Sequence, residues 1–388
     1  MQKIYLDSAA TTNVTNEVLT EMLPALGQNF GNPNSLHSFG REAMSLVDIA
    51  RDRVANAINA KASEIYFTSG GTEANNWAII GLALANRNKG NHIITSKIEH
   101  HSILEACKKL ENMGFDVTYL PVDETGLVNI AELLHYISHK TVLVSVMAAN
   151  NEIGTIQNIK TIAKIAHERG VLFHTDAVQA IGSFKLDVND IEIDAMSISA
   201  HKIHAPKGCG ALYVKKGVKI DPLIVGGNQE NDKRGGTINV PSIVGFGKAI
   251  EITTRDYQVN TKKVKSLRDY FVSKIQKEIP NVQVNGHYAQ KLPSIASVSF
   301  LGVDGEALAL LLDMNGIAVS TGSACSVGST QLSHVLKAIG LTNEVAKSTV
   351  RFSFDLNNTK EEIDSVVEVL KTSLTKLKKV SPVKVPKK

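Results

Sequence analysis

The sequence predicts an α/β fold, in which a mainly parallel sheet carries helices on both faces and is followed by a smaller α+β domain. Up to Pro241, short apolar segments of strand length alternate with longer amphipathic segments. Such alternation is typical of parallel sheets whose two faces are covered by helices. With 388 residues the chain also exceeds the usual size of one hydrophobic core, so two domains are expected.

Seven short apolar segments predict the strands of this sheet. Each is followed by a turn or by apolar residues at helical spacing, which predicts helices at about 77–90, 102–113, 129–138 and 159–170. The predicted strands are EIYFTS (64–69), HIITSK (92–97), DVTYL (116–120), TVLVSVM (141–147), VLFHTD (171–176), DAMSIS (194–199) and GALYVKK (210–216).

The chain changes character after Pro241, and this change predicts the second domain. A charge-rich helical region (242–279) leads into further strands and a helix, and a final helix begins near Thr359. The predicted organisation is an N-terminal segment joining the small domain (1–15), a large domain (16–250), a small domain (251–378) and a basic flexible tail (379–388).

Composition excludes several classes of protein. Seven of the 42 basic residues lie in 369–388, which has no acidic residue, so the body of the chain is slightly acidic and does not resemble a nucleic-acid binder. No apolar run reaches membrane-spanning length, and the N-terminus lacks a signal-peptide core. Three scattered cysteines without a CxxC motif argue against disulfides and zinc ribbons. The cytoplasm is the expected compartment.

Lys202 is the first candidate for chemistry. It directly follows an apolar strand and precedes a turn rich in glycine and proline, within SISAHKIHAPKGCG (197–210). The carboxyl ends of parallel strands form the crevice in which α/β sheets bind ligands, and a lysine among apolar neighbours is suited to Schiff-base formation. A lysine in a solvent-exposed loop would give the same local pattern, so Lys202 alone does not decide between the two.

Two more strand ends carry polar groups. Asp176 ends a buried strand, with Gln179 three residues later. A carboxylate there either caps a helix or keeps the ring nitrogen of pyridoxal phosphate protonated. The turn TSGGTEANN (68–76), with Thr72, suits a phosphate monoester because backbone N–H groups and the positive end of a helix meet there. It lacks the signatures of nucleotide-binding loops.

The remaining candidates are histidines and an arginine. His100 and His101 lie at a strand-to-helix junction, where one of them either moves a proton or has a structural role. Arg351, within an alternating strand, requires an anionic partner, which is either a substrate carboxylate or an internal ion pair. His135 and His139 are four residues apart without a third ligand nearby, so we expect a helix face and no catalytic metal.

Together and in order, these motifs resemble the cysteine desulfurases, a family of class V, fold-type I enzymes that use pyridoxal phosphate. The resemblance extends from about Lys3 to Leu377. It implies a seven-stranded large-domain sheet, L-cysteine as substrate, a homodimer and a protein that accepts sulfur. The motifs that carry it are SGGTEANN, EHH, NNEIG, HTDAVQ, SAHKIHAPKG, RGGT, GSACS and RFSF.

The resemblance implies three catalytic residues. Lys202 would bond the cofactor and remove the Cα proton of the substrate, and His100 would stack over the cofactor ring, with His101 as the alternative. Cys325 would take the sulfur as a persulfide on a loop. The small neighbours in STGSACSVGS (320–329) fit this role, because a segment with few packing contacts can carry a thiolate from substrate to acceptor.

The resemblance also implies which residues bind the cofactor and the substrate. Asp176 would pair with the ring nitrogen, and Gln179 would donate to the ring hydroxyl. The other implied positions are Thr72, Ser199 and His201 for the phosphate, Thr237 for the phosphate of the neighbouring subunit, Asn151 for cofactor and substrate, and Arg351 for the substrate carboxylate.

Three positions depart from the family pattern. Gly236 replaces a usual serine, Ala205 a common glycine, and Asp355 a usual small residue; if Asp355 paired with Arg351, carboxylate binding would weaken. The C-terminus lacks the extension by which one branch of the family meets its scaffold protein. The sulfur acceptor, whether for iron–sulfur clusters, tRNA thiolation or another cofactor, therefore stays open.

Other functions fit parts of the pattern. A class V aminotransferase would share Lys202 and Asp176 but needs no loop cysteine, whereas a selenocysteine lyase would share most of the site. A catalytically inactive scaffold homologue is least favoured, because every expected group is present. Cys107 and Cys209 lie on a helical pattern and in a turn, so we expect structural roles for both.

Overall fold

The computed structural model describes residues 3–321 and 332–380, so the predicted nucleophile Cys325 and most of the predicted basic tail lie outside the described residues. The described strands are β1 (Ile4–Tyr5), β2 (Ile65–Thr68), β3 (His92–Ser96), β4 (Asp116–Leu120), β5 (Thr141–Ser145), β6 (Leu172–Asp176), β7 (Ala195–Ser199), β8 (Gly210–Val214), β9 (Val282–Asn285), β10 (Ile295–Phe300), β11 (Ile317–Ala318), β12 (Ser320–Thr321) and β13 (Thr349–Ser353).

Helices separate most of these strands. The described helices are α1 (Asn16–Gly27), α2 (Ser38–Ala57), α3 (Gly71–Asn76), α4 (Leu82–Ala85), α5 (His101–Glu111), α6 (Ile130–Tyr136), α7 (Ile159–Glu168), α8 (Val188–Ile191), α9 (Gln229–Asp232), α10 (Val240–Arg255), α11 (Tyr257–Glu278), α12 (Gly305–Asp313), α13 (His334–Ala338), α14 (Asn343–Lys347) and α15 (Lys360–Val380). Shorter turns are the π-helical Trp77–Gly81 and the 3-10 turns Ala62–Glu64 and Ala200–Lys202.

A seven-stranded sheet in the order β2-β8-β7-β6-β5-β3-β4 forms the centre of the molecule. Only β8 runs antiparallel to its neighbours within this sheet, so the prediction of a mainly parallel seven-stranded sheet is confirmed. Ile94 belongs to the hydrophobic cluster that includes residues of α1, α2 and α10, whereas Ile93 belongs to the cluster that includes Trp77 and Cys107. Both faces are therefore covered, as expected for parallel strands.

A second, antiparallel sheet in the order β12-β13-β10-β9 lies under α11, α12 and α15. Its core is aromatic, with the Phe271 ring centroid 4.7 Å from that of Phe352. β1 pairs in parallel with β11, and Asp7 forms an isolated bridge with Ser353 at the end of β13. The segment that includes β1 and Asp7 therefore lies against β11 and β13, which are more than three hundred residues away in sequence.

Several helix bounds differ from the predicted ones. α6 ends at Tyr136, so His139 lies beyond the helix and the expected shared face with His135 is wrong. The predicted helical region 242–279 is two helices, because Asp256 between them has non-helical backbone angles. Within residues 3–321 and 332–380, no helix combines the length and the apolar character needed to cross a membrane.

Candidate active site

A cavity of about 280 Å³ lies at the carboxyl ends of the central strands, at the position where α/β sheets bind ligands. β13 and β12 of the second sheet complete its wall. Nine of the eleven predicted site residues line this single cavity. They are Thr72, His100, Asn151, Asp176, Gln179, Ser199, His201, Lys202 and Arg351. Their grouping is geometric, and their individual roles stay predictions.

Lys202 lies in the cavity wall, not in an exposed loop. Its Nζ donates hydrogen bonds to the carbonyl oxygens of Ala9 and Ala10, each at 2.7 Å. Gln179 Nε2 donates to the same Ala9 carbonyl at 2.8 Å, and His201 Nδ1 lies 3.1 Å from Thr11 Oγ1. The N-terminal residues thus fix the turn that follows β7, a contact that the sequence analysis did not predict.

A chain of polar groups connects Asp176 to His100. Asn75 Nδ2 donates to Asp176 Oδ2 at 2.6 Å and to Ser102 Oγ at 2.9 Å. Ser102 Oγ lies 2.8 Å from His100 Nδ1, which also accepts the Ser102 backbone N–H. Because Nδ1 accepts, the neutral imidazole carries its proton on Nε2. Val178 N donates to Asp176 Oδ1 at 2.9 Å, so Asp176 stabilises a turn and not a helix.

The two adjacent histidines differ in position. His100 lines the cavity, and burial lowers its pKa below the ordinary value, with Asp176 opposing and Lys202 reinforcing the shift. His100 is therefore neutral near pH 7. His101 is exposed and does not line the cavity; its ring centroid lies 4.7 Å from that of His334. Between the two registers considered, the geometry favours His100.

Arg351 is buried and forms one of the two kinds of contact that the sequence allowed, an internal ion pair. Its Nη1 donates to the Asn151 carbonyl at 2.9 Å, and its Nη2 donates to Asp7 Oδ1 at 2.8 Å. Its Nε has no hydrogen-bond partner among the described residues, although it is buried beside the cavity. Asp355 is instead 3.3 Å from His204 Nε2. Asp355 therefore does not form the ion pair with Arg351 that the sequence analysis considered.

Thr237 lies apart from the other site residues, in a second cavity of about 180 Å³. The same cavity contains Arg234, whose Nε and Nη2 bind both oxygens of Glu73 at 2.9 and 3.2 Å. Gly236 has a φ of +107°, a backbone conformation that side chains rarely adopt. This backbone gives a physical reason for glycine where the family pattern has serine.

Two buried acids beside the site were missed by the sequence analysis. Glu99 Oε1 accepts hydrogen bonds from Ser96 Oγ at 2.6 Å and Met147 N at 2.9 Å, and burial raises its pKa to about 8. Glu152 accepts from Ser333 Oγ at 2.5 Å, and burial raises its pKa to about 7. Glu99 precedes His100 in EHH, and Glu152 follows Asn151 in NNEIG. This adjacency to candidate residues was the only signal of the two acids in the sequence.

The two described cysteines are poor nucleophiles. Cys107 and Cys209 are buried in the two hydrophobic clusters that cover the central sheet. Burial raises the pKa of each thiol to about 12, so neither is a thiolate near pH 7. No group of three or more His, Cys, Asp or Glu suitable for a metal ion occurs among residues 3–321 and 332–380.

The groups that line the cavity fit a phosphorylated aromatic cofactor. The Asp176 carboxylate is buried at the cavity wall, where a protonated ring nitrogen would match its charge. Asn75 Oδ1 beside it has no partner among the described residues. A Cβ on Gly71 would lie 2.8 Å from Val178 Cγ2, so glycine lets the turn 68–76 approach this wall.

Comparison with known proteins agrees with this geometry. The family model for aminotransferase class V matches residues 4–366. Cysteine desulfurase IscS of Clostridium botulinum is 51% identical over 383 residues, covering 98% of this chain and 96% of the relative. Cysteine desulfurase IscS of Dictyoglomus turgidum is 49% identical, covering 99% of this chain and 97% of the relative.

Solved structures give the same result. A NifS-like protein superposes with a TM-score of 0.92 at 39% identity, covering 97% of this chain and 100% of that one. SspA, solved in complex with cysteine, superposes with a TM-score of 0.82 at 37% identity, covering 92% and 100%. The chain belongs to the class V aminotransferase family, whose members are pyridoxal-phosphate enzymes. Within that family it is an enzyme of the cysteine desulfurase type, and its fold class is confirmed.

Proposed function

We propose that this chain binds pyridoxal phosphate in the 280 Å³ cavity and uses it to convert L-cysteine to L-alanine, with the sulfur transferred to Cys325. The observation that carries the proposal is the meeting of Lys202, Asp176 and Arg351 in one cavity. These side chains supply an amine, a buried carboxylate and a carboxylate-binding guanidinium, which cofactor and substrate each require.

The proposed cofactor contacts follow the cavity wall. When bound, pyridoxal phosphate supplies an aldehyde that condenses with amines and a ring that withdraws electrons. Lys202 Nζ, held by two carbonyl oxygens, is the amine for this aldehyde, and Asp176 holds a proton on the ring nitrogen. The remaining contacts are Gln179 for the ring hydroxyl, His100 above the ring, and Thr72, Ser199 and His201 for the phosphate.

The substrate is held and deprotonated by groups of this chain. Arg351 binds the α-carboxylate, and Asn151 faces the same space. Once it is no longer bonded to the cofactor, the Lys202 amine removes the Cα proton of the substrate. The Cys325 thiolate then attacks the substrate sulfur, a new S–S bond forms, and the Cβ–S bond breaks. Its electron pair stays on the carbon side, where Cβ takes up a proton, Lys202 returns a proton to Cα, and alanine leaves. A sulfur-acceptor protein removes the terminal sulfur.

The proposed assembly is a homodimer in the cytoplasm, with the chain divided at the predicted domain boundaries. Thr237 would contact the phosphate of the neighbouring subunit, since it does not line its own subunit's cavity. An exposed apolar surface supports association. We call it the α1 patch: Leu19, Leu23, Leu26, Phe30, Leu36 and Phe39, which are between 44 and 92% exposed.

The test compares Cys325→Ser with the wild type and with Cys107→Ala as a matched control. Each cofactor-loaded protein receives L-cysteine and a thiol reductant, and alanine and sulfide are measured. We expect equal release from the wild type and Cys107→Ala, and a loss of more than about a hundredfold in Cys325→Ser, because no other described thiol ionises near pH 7. The cofactor absorbance should persist in all three.

Two outcomes would contradict the proposal in different ways. Alanine release by Cys325→Ser at the wild-type rate would show that Cys325 is not the sulfur acceptor. A cofactor-loaded wild type that releases no alanine would exclude the desulfurase activity itself. Assays with selenocysteine and with an amino-group acceptor would then test the lyase and aminotransferase alternatives.

A further inference from the structure

The segment Asp7–Ala10 is part of the active site, although no motif in the sequence marked it. The carbonyls of Ala9 and Ala10 hold Lys202 Nζ, and the Asp7 carboxylate holds Arg351 Nη2 at 2.8 Å. Two residues with different proposed tasks are therefore positioned by four consecutive residues. The backbone contacts of Ala9 and Ala10 are independent of side-chain type, whereas the contact of Asp7 requires its side chain.

The Arg351 guanidinium is only partly paired by the described residues. A guanidinium offers five N–H groups in one plane, and carboxylates bind it through two of them at a time. Nη1 is taken by the Asn151 carbonyl, and one Nη2 proton is taken by Asp7. Nε is buried and has no partner among the described residues. Three N–H groups, those of Nε and the second protons of Nη1 and Nη2, therefore have no partner among the described residues.

We propose that Asp7 is a positioning residue that orients Arg351 so that its unpaired N–H groups receive the α-carboxylate of the substrate. The inference rests on the proposed function, because it takes Arg351 as the carboxylate-binding residue. Asp7 acts through Arg351 and does not itself contact the substrate. Its bond to Nη2, together with the bond of Nη1 to the Asn151 carbonyl, restricts the plane of the guanidinium.

The backbone around Asp7 is rigid enough for this task. Leu6 N donates to the Ala318 carbonyl at 2.9 Å, and Ser353 N donates to the Leu6 carbonyl at 2.8 Å. Ala9 N donates to Ser353 Oγ at 2.9 Å. Asp7 is thus anchored on β13 two residues from Arg351 along that strand. Without its carboxylate, the long arginine side chain would keep only the Asn151 contact and could rotate about it.

The test uses Asp7→Ala, Asp7→Asn and, as a control, Asp355→Asn, which removes a nearby carboxylate that contacts His204 and not Arg351. The affinity of each cofactor-loaded protein for L-alanine and for L-alaninamide is measured by calorimetry, together with KM and kcat for L-cysteine. Alaninamide lacks the carboxylate that Arg351 would bind. A purely structural defect would lower the affinity for L-alanine and for L-alaninamide equally.

We expect Asp7→Ala to weaken L-alanine binding and raise KM for L-cysteine by about tenfold, the typical effect of losing one charge-assisted hydrogen bond. The expected change in kcat is below about threefold. Asp7→Asn keeps an acceptor oxygen for Nη2, so its affinity should lie within about threefold of the wild type. Alaninamide binding should be the same in all four proteins.

The inference is overturned if Asp7→Ala binds L-alanine as well as the wild type does, or if it loses affinity for alaninamide to the same extent. Equal losses in Asp7→Ala and Asp7→Asn would also overturn it, because an acceptor oxygen would then not be sufficient. If the wild type binds L-alanine but releases none from L-cysteine, the proposed function fails while the binding comparison still decides the role of Asp7.

Discussion

At the scale of single residues, Glu99 is an acid beside the site that burial keeps protonated. Its carboxyl group is fully buried, and its Oε2 has no partner within the described part of the chain. Burial is the main cause of its raised pKa of about 8, and the nearby Asp176 carboxylate adds to it. Glu99 is therefore neutral near pH 7.

Glu99→Gln should remove a pH dependence of stability. The folded wild type keeps the Glu99 proton up to about pH 8, whereas the unfolded chain releases it near the ordinary value of 4.5. Unfolding thus releases a proton in this window, so the free energy of unfolding falls as pH rises, by at most about 1.4 kcal/mol per pH unit. The glutamine variant lacks this loss.

The measurement is urea unfolding of the wild type and Glu99→Gln at several pH values from 5 to 8. The free energy of unfolding of the variant, relative to the wild type, should increase with pH. Glu124→Gln is the control, because Glu124 is exposed and should give a flat difference. A flat difference for Glu99→Gln as well would show that Glu99 is ionised in the folded chain.

Residue identity at strand ends predicted much of the site. Lys202 and Asp176 were found because each follows an apolar strand, and such positions meet at one edge of a parallel sheet. Asp7 was missed because its partner Arg351 is 344 residues away, a pairing that no local pattern contains. Glu99 was missed because burial of an acid depends on packing from several elements and not on its neighbours in sequence.

At the scale of elements, the π-helical turn Trp77–Gly81 is fixed by a contact with a distant loop. Trp77 Nε1 donates to the Asp221 carbonyl at 2.9 Å, and Asp221 N donates to the Gly81 carbonyl at 3.1 Å. A Cβ on Gly81 would lie 2.6 Å from the Asp221 carbonyl oxygen. The absence of a side chain at Gly81 therefore permits the close approach that holds the turn.

Gly81→Ala should lower the free energy of unfolding by about 1 to 3 kcal/mol, because the new methyl group would have to displace backbone atoms. Thermal unfolding followed by circular dichroism measures the change. Gly27→Ala is the control, since no atom lies within 4 Å of its added Cβ. A Gly81→Ala protein as stable as the Gly27→Ala protein would contradict a tight contact at this turn.

The element types were predictable, whereas some of their bounds and directions were not. The apolar character of the segment around Ile93 and Ile94 predicts a strand buried on both faces, and the two residues do face different clusters. The antiparallel direction of β8 leaves no mark on its own sequence. The π-helical turn likewise depends on Asp221, which lies far along the chain.

At the scale of the whole molecule, the α1 patch is an apolar surface that a single chain leaves exposed. α1 buries Val18, Met22 and Ala25 on one side and exposes Leu19, Leu23 and Leu26 on the other. Its buried side packs on α10, which begins three residues after Thr237.

The double variant Leu23→Lys with Leu26→Lys should abolish the proposed dimer, because two charges cannot be buried in an apolar interface without partners. Sedimentation velocity measures the mass, and cofactor retention on dialysis should fall in parallel. Leu310→Lys, at a site 66% exposed on α12, is the control. A double variant that remains dimeric would place the interface elsewhere.

The pairing of Asp7 with Arg351 also bears on how the protein is synthesised. A ribosome releases residues 7–10 early, but β11 and β13, which hold them, emerge after more than three hundred further residues, since the Asp7–Arg351 contact spans 344 positions. The Asp7 carboxylate therefore has no Arg351 partner until β13 has been synthesised, whereas Ala9 and Ala10 can contact Lys202 earlier. A nascent chain thus gains the proposed carboxylate-binding arrangement only after all strands of the central sheet have been synthesised.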